Sequence, residues 1–137
     1  MRPRILLVDD DSHNLYLLAK IVRPYGRVET AMDGKKAIAL FKEGLERGDR
    51  FHILFLDIIM PGLSGREVLR VIRDHESIWM DLEDMPTTVV MASGITEKEV
   101  IQQSLKEGSE FFMTKPFRVE QVRRIMDQLG LEAESAD

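Results

Sequence analysis

The sequence predicts an α/β fold in which helices cover both faces of a parallel sheet. Short apolar runs alternate with longer amphipathic stretches five times along the 137 residues, a length suited to one domain. The runs are continuously apolar, as in Ile5–Val8, which is typical of strands buried on both faces. Ligands of such sheets bind beyond the carboxyl ends of the strands, so the residues at those ends are the first candidates for function.

Turn and capping residues separate the elements. Ser64 with Glu67, and Thr96 with Glu99, have the spacing of capping boxes that begin helices. Gly130 ends the last helix, which places the domain at 1–130 and an acidic tail at 131–137. The expected strands lie near 5–8, 27–31, 51–56, 87–92 and 111–113, and the expected helices begin near residues 12, 34, 65, 97 and 119.

Composition excludes several classes of function. The absence of cysteine removes disulfide frameworks, thiolate zinc sites and cysteine nucleophiles, and it fits a cytoplasmic protein. The formal net charge of −5 gives no reason to expect nucleic-acid binding. The four apolar residues before Asp9 are too few for a signal peptide or a membrane span.

Polar residues suited to phosphoryl transfer follow four of the five strands. Asp9 and Asp10 follow the first strand, Asp57 the third, Ser93 the fourth and Lys115 the fifth. If these strands are neighbours, three carboxylates meet and repel one another unless a cation intervenes, and Mg²⁺ is the natural candidate. An aspartate can itself be the nucleophile, and a lysine and a hydroxyl can neutralise and orient the transferred group.

Each of these residues alone has a simpler interpretation. Asp9, Asp10 and Asp11 could cap a helix, and Asp57 could form a turn before Pro61. A lone serine or lysine at a strand end is usually a loop or surface residue. The phosphoryl-transfer hypothesis therefore depends on the coincidence of all of them at one edge of the sheet.

Several motifs together resemble the receiver domain of two-component response regulators over about residues 4–130. The matching motifs are Val8-Asp9-Asp10, Leu56-Asp57 with Met60-Pro61 and Gly65, Ala92-Ser93-Gly94, and Gly108 through Phe112 to Thr114-Lys115-Pro116-Phe117. The resemblance implies a flavodoxin-like (βα)5 fold with strand order 2-1-3-4-5.

The resemblance also implies roles for individual residues. Asp57 would be the phospho-acceptor, and Asp9, Asp10, Asp57 and the backbone carbonyl of Ile59 would hold Mg²⁺, or Mn²⁺ in its place. Ser93 would contact the phosphoryl group and Lys115 would pair with it, with a cis bond between Lys115 and Pro116. Phe112 would be the switch aromatic that moves with Ser93, although an aromatic residue in a strand is more often a core residue.

The implied function is a signalling switch. The chain would take a phosphoryl group from a phosphohistidine of a histidine kinase or histidine phosphotransfer protein, and would catalyse only its own phosphorylation and dephosphorylation. Phosphorylation adds about two negative charges, which would change the face formed by helix 4, strand 5 and helix 5. A homodimer through that face is a further expectation; the downstream partner stays open, and neither nucleic acid nor membrane is an expected partner.

Three other functions stay open at this point. An aspartyl-phosphate phosphatase of the haloacid-dehalogenase type would use Asp9 as nucleophile, but Asp9-Asp10-Asp11-Ser12 lacks the usual Gly-Thr-like turn. A flavodoxin-like FMN binder would cradle phosphate after strand 1, where three aspartates would repel it. The last alternative is an unphosphorylated scaffold, which the acids and Lys115 disfavour.

Two charged segments have interpretations of their own. The segment 74–84 holds five acids and the only tryptophan, Trp79. It is interpreted first as a longer helix 3 with an acidic loop, and second as a partner-binding insertion anchored by Trp79. A basic region around helix 5 (Lys115, Arg118, Arg123 and Arg124) is a candidate docking face.

Ile59 and Ile95 occupy the two positions that in the family influence how fast water attacks the phosphoryl group. Both are apolar and cannot orient water, so we expect a long-lived phosphoryl group. Replacing both with polar residues should shorten its half-life, measured by the decay of the phosphorylated mass; an unchanged half-life contradicts the expectation.

Overall fold

The computed structural model describes residues 2–81, 83–94 and 98–134, without the side chains of Val100 and Ser104. Its strands are β1 (Arg4–Val8), β2 (Arg27–Ala31), β3 (Ile53–Asp57), β4 (Thr88–Ser93) and β5 (Phe111–Thr114). Its α-helices are α1 (Ser12–Val22), α2 (Gly34–Arg47), α3 (Gly65–Trp79), α4 (Lys98–Lys106) and α5 (Val119–Gln128), with a short 3₁₀ turn at Arg23–Tyr25.

The strands form one parallel sheet in the order β2-β1-β3-β4-β5. The predicted fold class, the alternation of strands and helices and the strand order are therefore confirmed. β1 and β3 lie inside the sheet, and every one of their residues is buried.

Two hydrophobic clusters, one on each face of the sheet, explain the continuous apolar runs. In β1, Leu6 packs into the cluster that includes Phe41 of α2 and Leu69 of α3. Its neighbour Leu7 packs into the cluster that includes Leu18 of α1 and Met126 of α5. Successive residues of a strand point to opposite faces, so a strand covered on both sides is apolar along its middle, with polar residues such as Arg4 and Asp57 at its ends.

Capping residues set the helix starts as the sequence predicts. Asp11 accepts hydrogen bonds from the backbone N–H groups of His13 and Asn14, and the Ser64–Glu67 capping box is present at α3. The charged, glycine-containing stretch 46–50 predicts a loop, but α2 continues to Arg47 and ends on Gly48 with a φ of 72°. Thr96 of the second predicted capping box lies outside the described residues.

The acidic segment 74–84 begins as the end of α3, which extends to Trp79. This confirms the longer helix that the sequence favoured. Glu76 is buried there: its carboxylate accepts from the backbone N–H of Thr87 at 2.6 Å and from Arg73 at 2.7 Å. Arg73 also donates to the carbonyl oxygens of Thr87 and Gly108. The pair thus joins the end of α3 to the segments that begin β4 and β5.

The first residues of the acidic tail lie against the domain. Leu131 packs on the cluster beneath α1 and α5, and the backbone N–H of Glu134 donates to the carbonyl oxygen of Pro24 at 2.8 Å. The Glu134 carboxylate pairs with Arg2 at 3.1 Å. Among the described residues, no helix has both the length and the apolar character needed to cross a membrane.

Replacing Glu76 with alanine should lower the free energy of unfolding by about 3 kcal/mol, because it leaves the buried N–H of Thr87 without its acceptor and removes a buried ion pair of Arg73. Asp74→Ala is the matched control, since Asp74 is an exposed acid on the same helix, and it should have little effect. Urea denaturation measures both values; equal losses in the two variants would contradict this role of Glu76.

Candidate functional site

The sheet register brings the predicted strand-end residues to one edge, here called the carboxyl edge. Val8 pairs with Leu56, so Asp9 and Asp57 follow adjacent strands at the same level. Asp57 pairs with Ala92, which places Ser93 one residue further along β4. Ser93 pairs with Thr114, and Lys115 follows. The condition that the sequence left open, namely that these strands are neighbours, is therefore met.

Three carboxylates cluster at this edge. Asp9, Asp10 and Asp57 each offer an oxygen atom, and these atoms lie within 4.8 Å of one another. The side chains of Asp9 and Asp57 are buried, whereas Asp10 is exposed. Two carboxylates are thus held inside the protein, and the third is exposed to solvent.

Lys115 supplies positive charge to the cluster. Its Nζ atom lies 2.9 Å from an oxygen of Asp9 and 3.2 Å from Oδ2 of Asp57. Burial opposes protonation of the lysine, but the two carboxylates more than compensate and raise the pKa of Lys115 above its usual value. One ammonium group therefore bridges the two buried acids.

The single lysine does not fully offset the repulsion between these acids. Burial, together with the charge of Asp9, raises the pKa of Asp57 to about 6, against the opposing effect of Lys115 and a hydrogen bond from the backbone N–H of Ile59. A raised pKa means that the ionised carboxylate is destabilised, so a cation bound beside Asp57 would stabilise it.

Close backbone packing holds the loop after Asp57 in place. The N–H of Gly65 donates to the carbonyl oxygen of Ile58 at 2.8 Å. A Cβ atom at residue 65 would lie 2.2 Å from the carbonyl oxygen of Asp57, so only glycine allows α3 to begin this close to the acid. The N–H of Ile58 also donates to the carbonyl oxygen of Ala92 at 3.0 Å. The position of Asp57 is therefore set from both sides.

The other predicted site residues have different environments. Ser93 is buried at the end of β4, and its carbonyl oxygen accepts from the N–H of Lys115 at 3.0 Å. Phe112 is half-buried against the core cluster on the α2 and α3 side of the sheet. The bond between Lys115 and Pro116 is cis, as the resemblance implies. The side chain of Ile59 is 57% exposed, and Ile95 lies outside the described residues.

Sequence reasoning missed how two residues support the cluster. Gly65 appeared only as part of a motif, and nothing in a single sequence marks a glycine that touches a backbone carbonyl from another segment. Asn14 of α1 directs its amide toward Oδ2 of Asp9 at 3.5 Å, a long hydrogen bond. Asp11 is a helix cap, which is the simpler interpretation the sequence allowed.

Comparison with known proteins identifies the family. The sequence matches the family described as response regulator receiver domain over residues 5–127. The chain belongs to this family.

Receiver domains of very different proteins resemble this one. The response regulator PleD of Caulobacter vibrioides is 36% identical over 121 residues, which is 85% of this chain but 23% of PleD. The chain therefore spans less than a quarter of that curated relative. The receiver domain of the histidine kinase CKI1 from Arabidopsis thaliana, solved as a complex with Mg²⁺ and BeF3⁻, is 27% identical, with a TM-score of 0.75 and coverage of 91% of this chain and 90% of that one.

A further solved structure supports the fold alone. The receiver domain of Ssk1 from Saccharomyces cerevisiae, crystallised with the histidine phosphotransfer protein Ypd1, is 24% identical with a TM-score of 0.82. The match covers 94% of this chain and 89% of that one. The five-stranded receiver fold is thus shared across low sequence identity.

The receiver's acidic cluster fits a hard divalent cation. It combines three carboxylates with one ammonium group, so it carries excess negative charge, and its ligand atoms are oxygen. Mg²⁺ prefers such oxygen ligands and commonly takes only one or two carboxylates, with water completing its coordination. Asp9, Asp10 and Asp57 would hold the ion.

Asp57→Asn should stabilise the metal-free receiver at pH 7 by up to about 3 kcal/mol, because one pKa unit corresponds to about 1.4 kcal/mol. The folded state binds the Asp57 proton more tightly than the unfolded state, whose pKa is near 3.8. Stability therefore falls as pH rises from about 4 to about 6, and the gain from asparagine should vanish near pH 4.

Urea denaturation at several pH values measures this gain. Asp33→Asn is the control, because Asp33 is an exposed helix cap and asparagine caps equally well. Added Mg²⁺ should reduce or reverse the advantage of Asp57→Asn. A variant less stable than the wild type at pH 7 without metal would contradict the excess negative charge.

Proposed function

We propose that this receiver domain is a phosphorylation-dependent switch whose phospho-acceptor is Asp57. The observation that carries the proposal is a buried aspartate with a raised pKa that contacts Lys115 and lies beside two further carboxylates. This combination of nucleophile, cation and metal ligands suits phosphoryl transfer, in which positioning and charge stabilisation do most of the catalysis.

The chain's own residues would prepare the nucleophile. Lys115 contacts Oδ2 of Asp57, whereas Oδ1 accepts a long hydrogen bond of 3.4 Å from the N–H of Ile59 in the part of the chain that the structure describes. Oδ1 is therefore the more available oxygen. In the transfer, its bond to phosphorus forms as the bond between phosphorus and the donor histidine nitrogen breaks, and that nitrogen keeps the electron pair. Lys115 can then pair with the phosphoryl oxygens.

Mg²⁺, or Mn²⁺ in its place, is the metal we propose for the cluster, with the backbone carbonyl of Ile59 as a further ligand. When bound, the ion would neutralise charge on the phosphoryl group and on the carboxylates. The structure of the CKI1 receiver with Mg²⁺ and BeF3⁻ supports this choice. Asp9 has a second task, because its Oδ1 atom accepts from the N–H of Asp11 at 2.9 Å and so holds the loop before α1.

The output would pass through the face formed by α4, β5 and α5. A phosphoryl group on Asp57 carries about two negative charges in place of the single charge of the carboxylate, next to Ser93 on the strand that pairs with β5. Phe112 is half-buried on β5, two residues before Thr114, the register partner of Ser93, so it is placed to respond to a shift of Ser93. Leu105 of α4 and Val119 of α5 are exposed on the elements that would carry the signal.

A histidine kinase or histidine phosphotransfer protein is the donor we propose. Hybrid signal transduction histidine kinase L of Dictyostelium discoideum is 28% identical over 93% of this chain, which supports a phosphorelay setting. The same proposal includes a cytoplasmic location and a homodimer through the α4-β5-α5 face. It also restricts catalysis to the domain's own phosphorylation and dephosphorylation. The expectation that the domain itself binds no nucleic acid belongs to this proposal as well.

Incubation with a small phosphoryl donor and Mg²⁺, followed by intact mass measurement, tests the acceptor. The wild-type chain should gain the mass of one phosphoryl group, and Asp57→Ala should gain none. Asp33→Ala is the matched control, because it removes an exposed aspartate near the same edge. No gain in the wild type, or a gain that survives Asp57→Ala, would overturn the proposal.

The phosphatase alternative predicts a different pattern. A haloacid-dehalogenase-type enzyme would turn over a phosphomonoester and lose that activity in Asp9→Ala while keeping it in Asp57→Ala. A receiver should show no such turnover in either variant.

A further inference from the structure

We propose that the opposite edge of the sheet, where the strands begin, holds a second binding site for a small carboxylate that carries an apolar group. This amino edge is formed by the starts of β1, β3 and β4. The site centres on Arg50 and His52 in the segment before β3. It lies at the other end of β3 from Asp57 and goes beyond the proposed function.

Two adjoining cavities share Arg50 and His52. The first, of about 290 Å³, is lined mainly by apolar side chains, including Ile53, Leu129 and Leu131. The second, of about 360 Å³, is more polar and includes Trp79. Arg50 and His52 therefore line both an open apolar cavity and a more polar one, an arrangement that suits an amphiphilic ligand.

Arg50 has a hydrogen-bond donor with no acceptor. Its Nη1 atom is buried and has no hydrogen-bond partner, and the described part of the chain gives the guanidinium no ion pair. Nearby acids are engaged elsewhere: Asp49 pairs with Arg27 at 3.2 Å, and Asp84 accepts from the backbone N–H of Asp81 at 3.1 Å. A buried donor without an acceptor is costly, so a ligand that supplies one is favoured.

His52 lines both cavities and carries a second hydrogen-bonding side chain. Its Nδ1 atom accepts a hydrogen bond from the backbone N–H of Arg4 at 3.1 Å. In the neutral ring, the proton must therefore be on Nε2. Burial and the charge of Arg50 lower the pKa of His52, which favours the neutral ring at pH 7.

A carboxylate matches these donors better than other anions do. Its two oxygens can accept from a guanidinium side by side, and this geometry distinguishes arginine from lysine. Asp49 and Asp84 line the polar cavity, and their negative charge disfavours a phosphate monoester, which carries about two charges, more than a carboxylate, which carries one. The apolar group of the ligand would fill the chamber beside Leu129 and Leu131.

The test uses three probes of equal chain length: hexanoate, hexanol and hexylammonium. Hexanoate should produce saturable changes in the NMR signals of the His52 ring and the Arg50 guanidinium, and should raise the thermal midpoint. Hexanol and hexylammonium should bind about tenfold more weakly or not at all, because they lack the charge-assisted hydrogen bonds. Equal binding of hexanol and hexanoate, or no saturable binding of hexanoate, would overturn the proposal.

A pair of variants locates the site. Arg50→Met keeps the aliphatic stem, removes the charge and should weaken hexanoate binding about tenfold. Arg47→Met is the control, since Arg47 is exposed, pairs with Glu43 at 3.5 Å and lies outside both cavities. Without ligand, Arg50→Met should be at least as stable as the wild type. Undiminished hexanoate binding in Arg50→Met, or a clear loss of stability without ligand, would refute the site.

Discussion

The burial of Asp9 and Asp57 side by side is the constraint on which the rest of the carboxyl edge depends. Two carboxylates inside a protein are tolerated only with compensating charge, and Lys115 gives each of them one contact. The compensation is incomplete, since Asp57 keeps a pKa near 6. The fold therefore stores unfavourable electrostatic energy at the point where chemistry is proposed, and a cation or a new bond to Asp57 would relieve it.

The parallel sheet holds these two aspartates next to each other. Hydrophobic clusters pack on both faces of β1 and β3, which are neighbours in the sheet. Because Val8 pairs with Leu56, Asp9 and Asp57 lie side by side at the ends of these strands. The helices that follow parallel strands begin at the same edge, and their amino ends carry partial positive charge that favours anions there. Gly65 adds a steric condition, because its missing side chain lets α3 begin against the Asp57 carbonyl.

Prediction from sequence succeeded where local pattern determines structure. Asp9, Asp57, Ser93 and Lys115 each follow an apolar run, and a parallel sheet collects such residues whatever the loop lengths. Prediction from sequence failed where a contact between distant segments determines the structure. Glu76 belongs to an acidic stretch that looks solvated, yet it is buried because α3 extends far enough to reach the N–H of Thr87. Composition could not indicate that one of these five acids is structural.

The two edges of the sheet differ in the helix ends that lie beside them, and this follows from the same topology. Helix carboxyl ends, with partial negative charge, lie toward the amino edge and favour cations there. α2 ends at Arg47, shortly before Arg50, so a guanidinium without an acid partner is less costly at this edge than elsewhere. The carboxyl edge correspondingly holds more carboxylates than ammonium groups. A formal net charge of −5 gives no sign of either feature, because it does not say where along the sheet the charged groups lie.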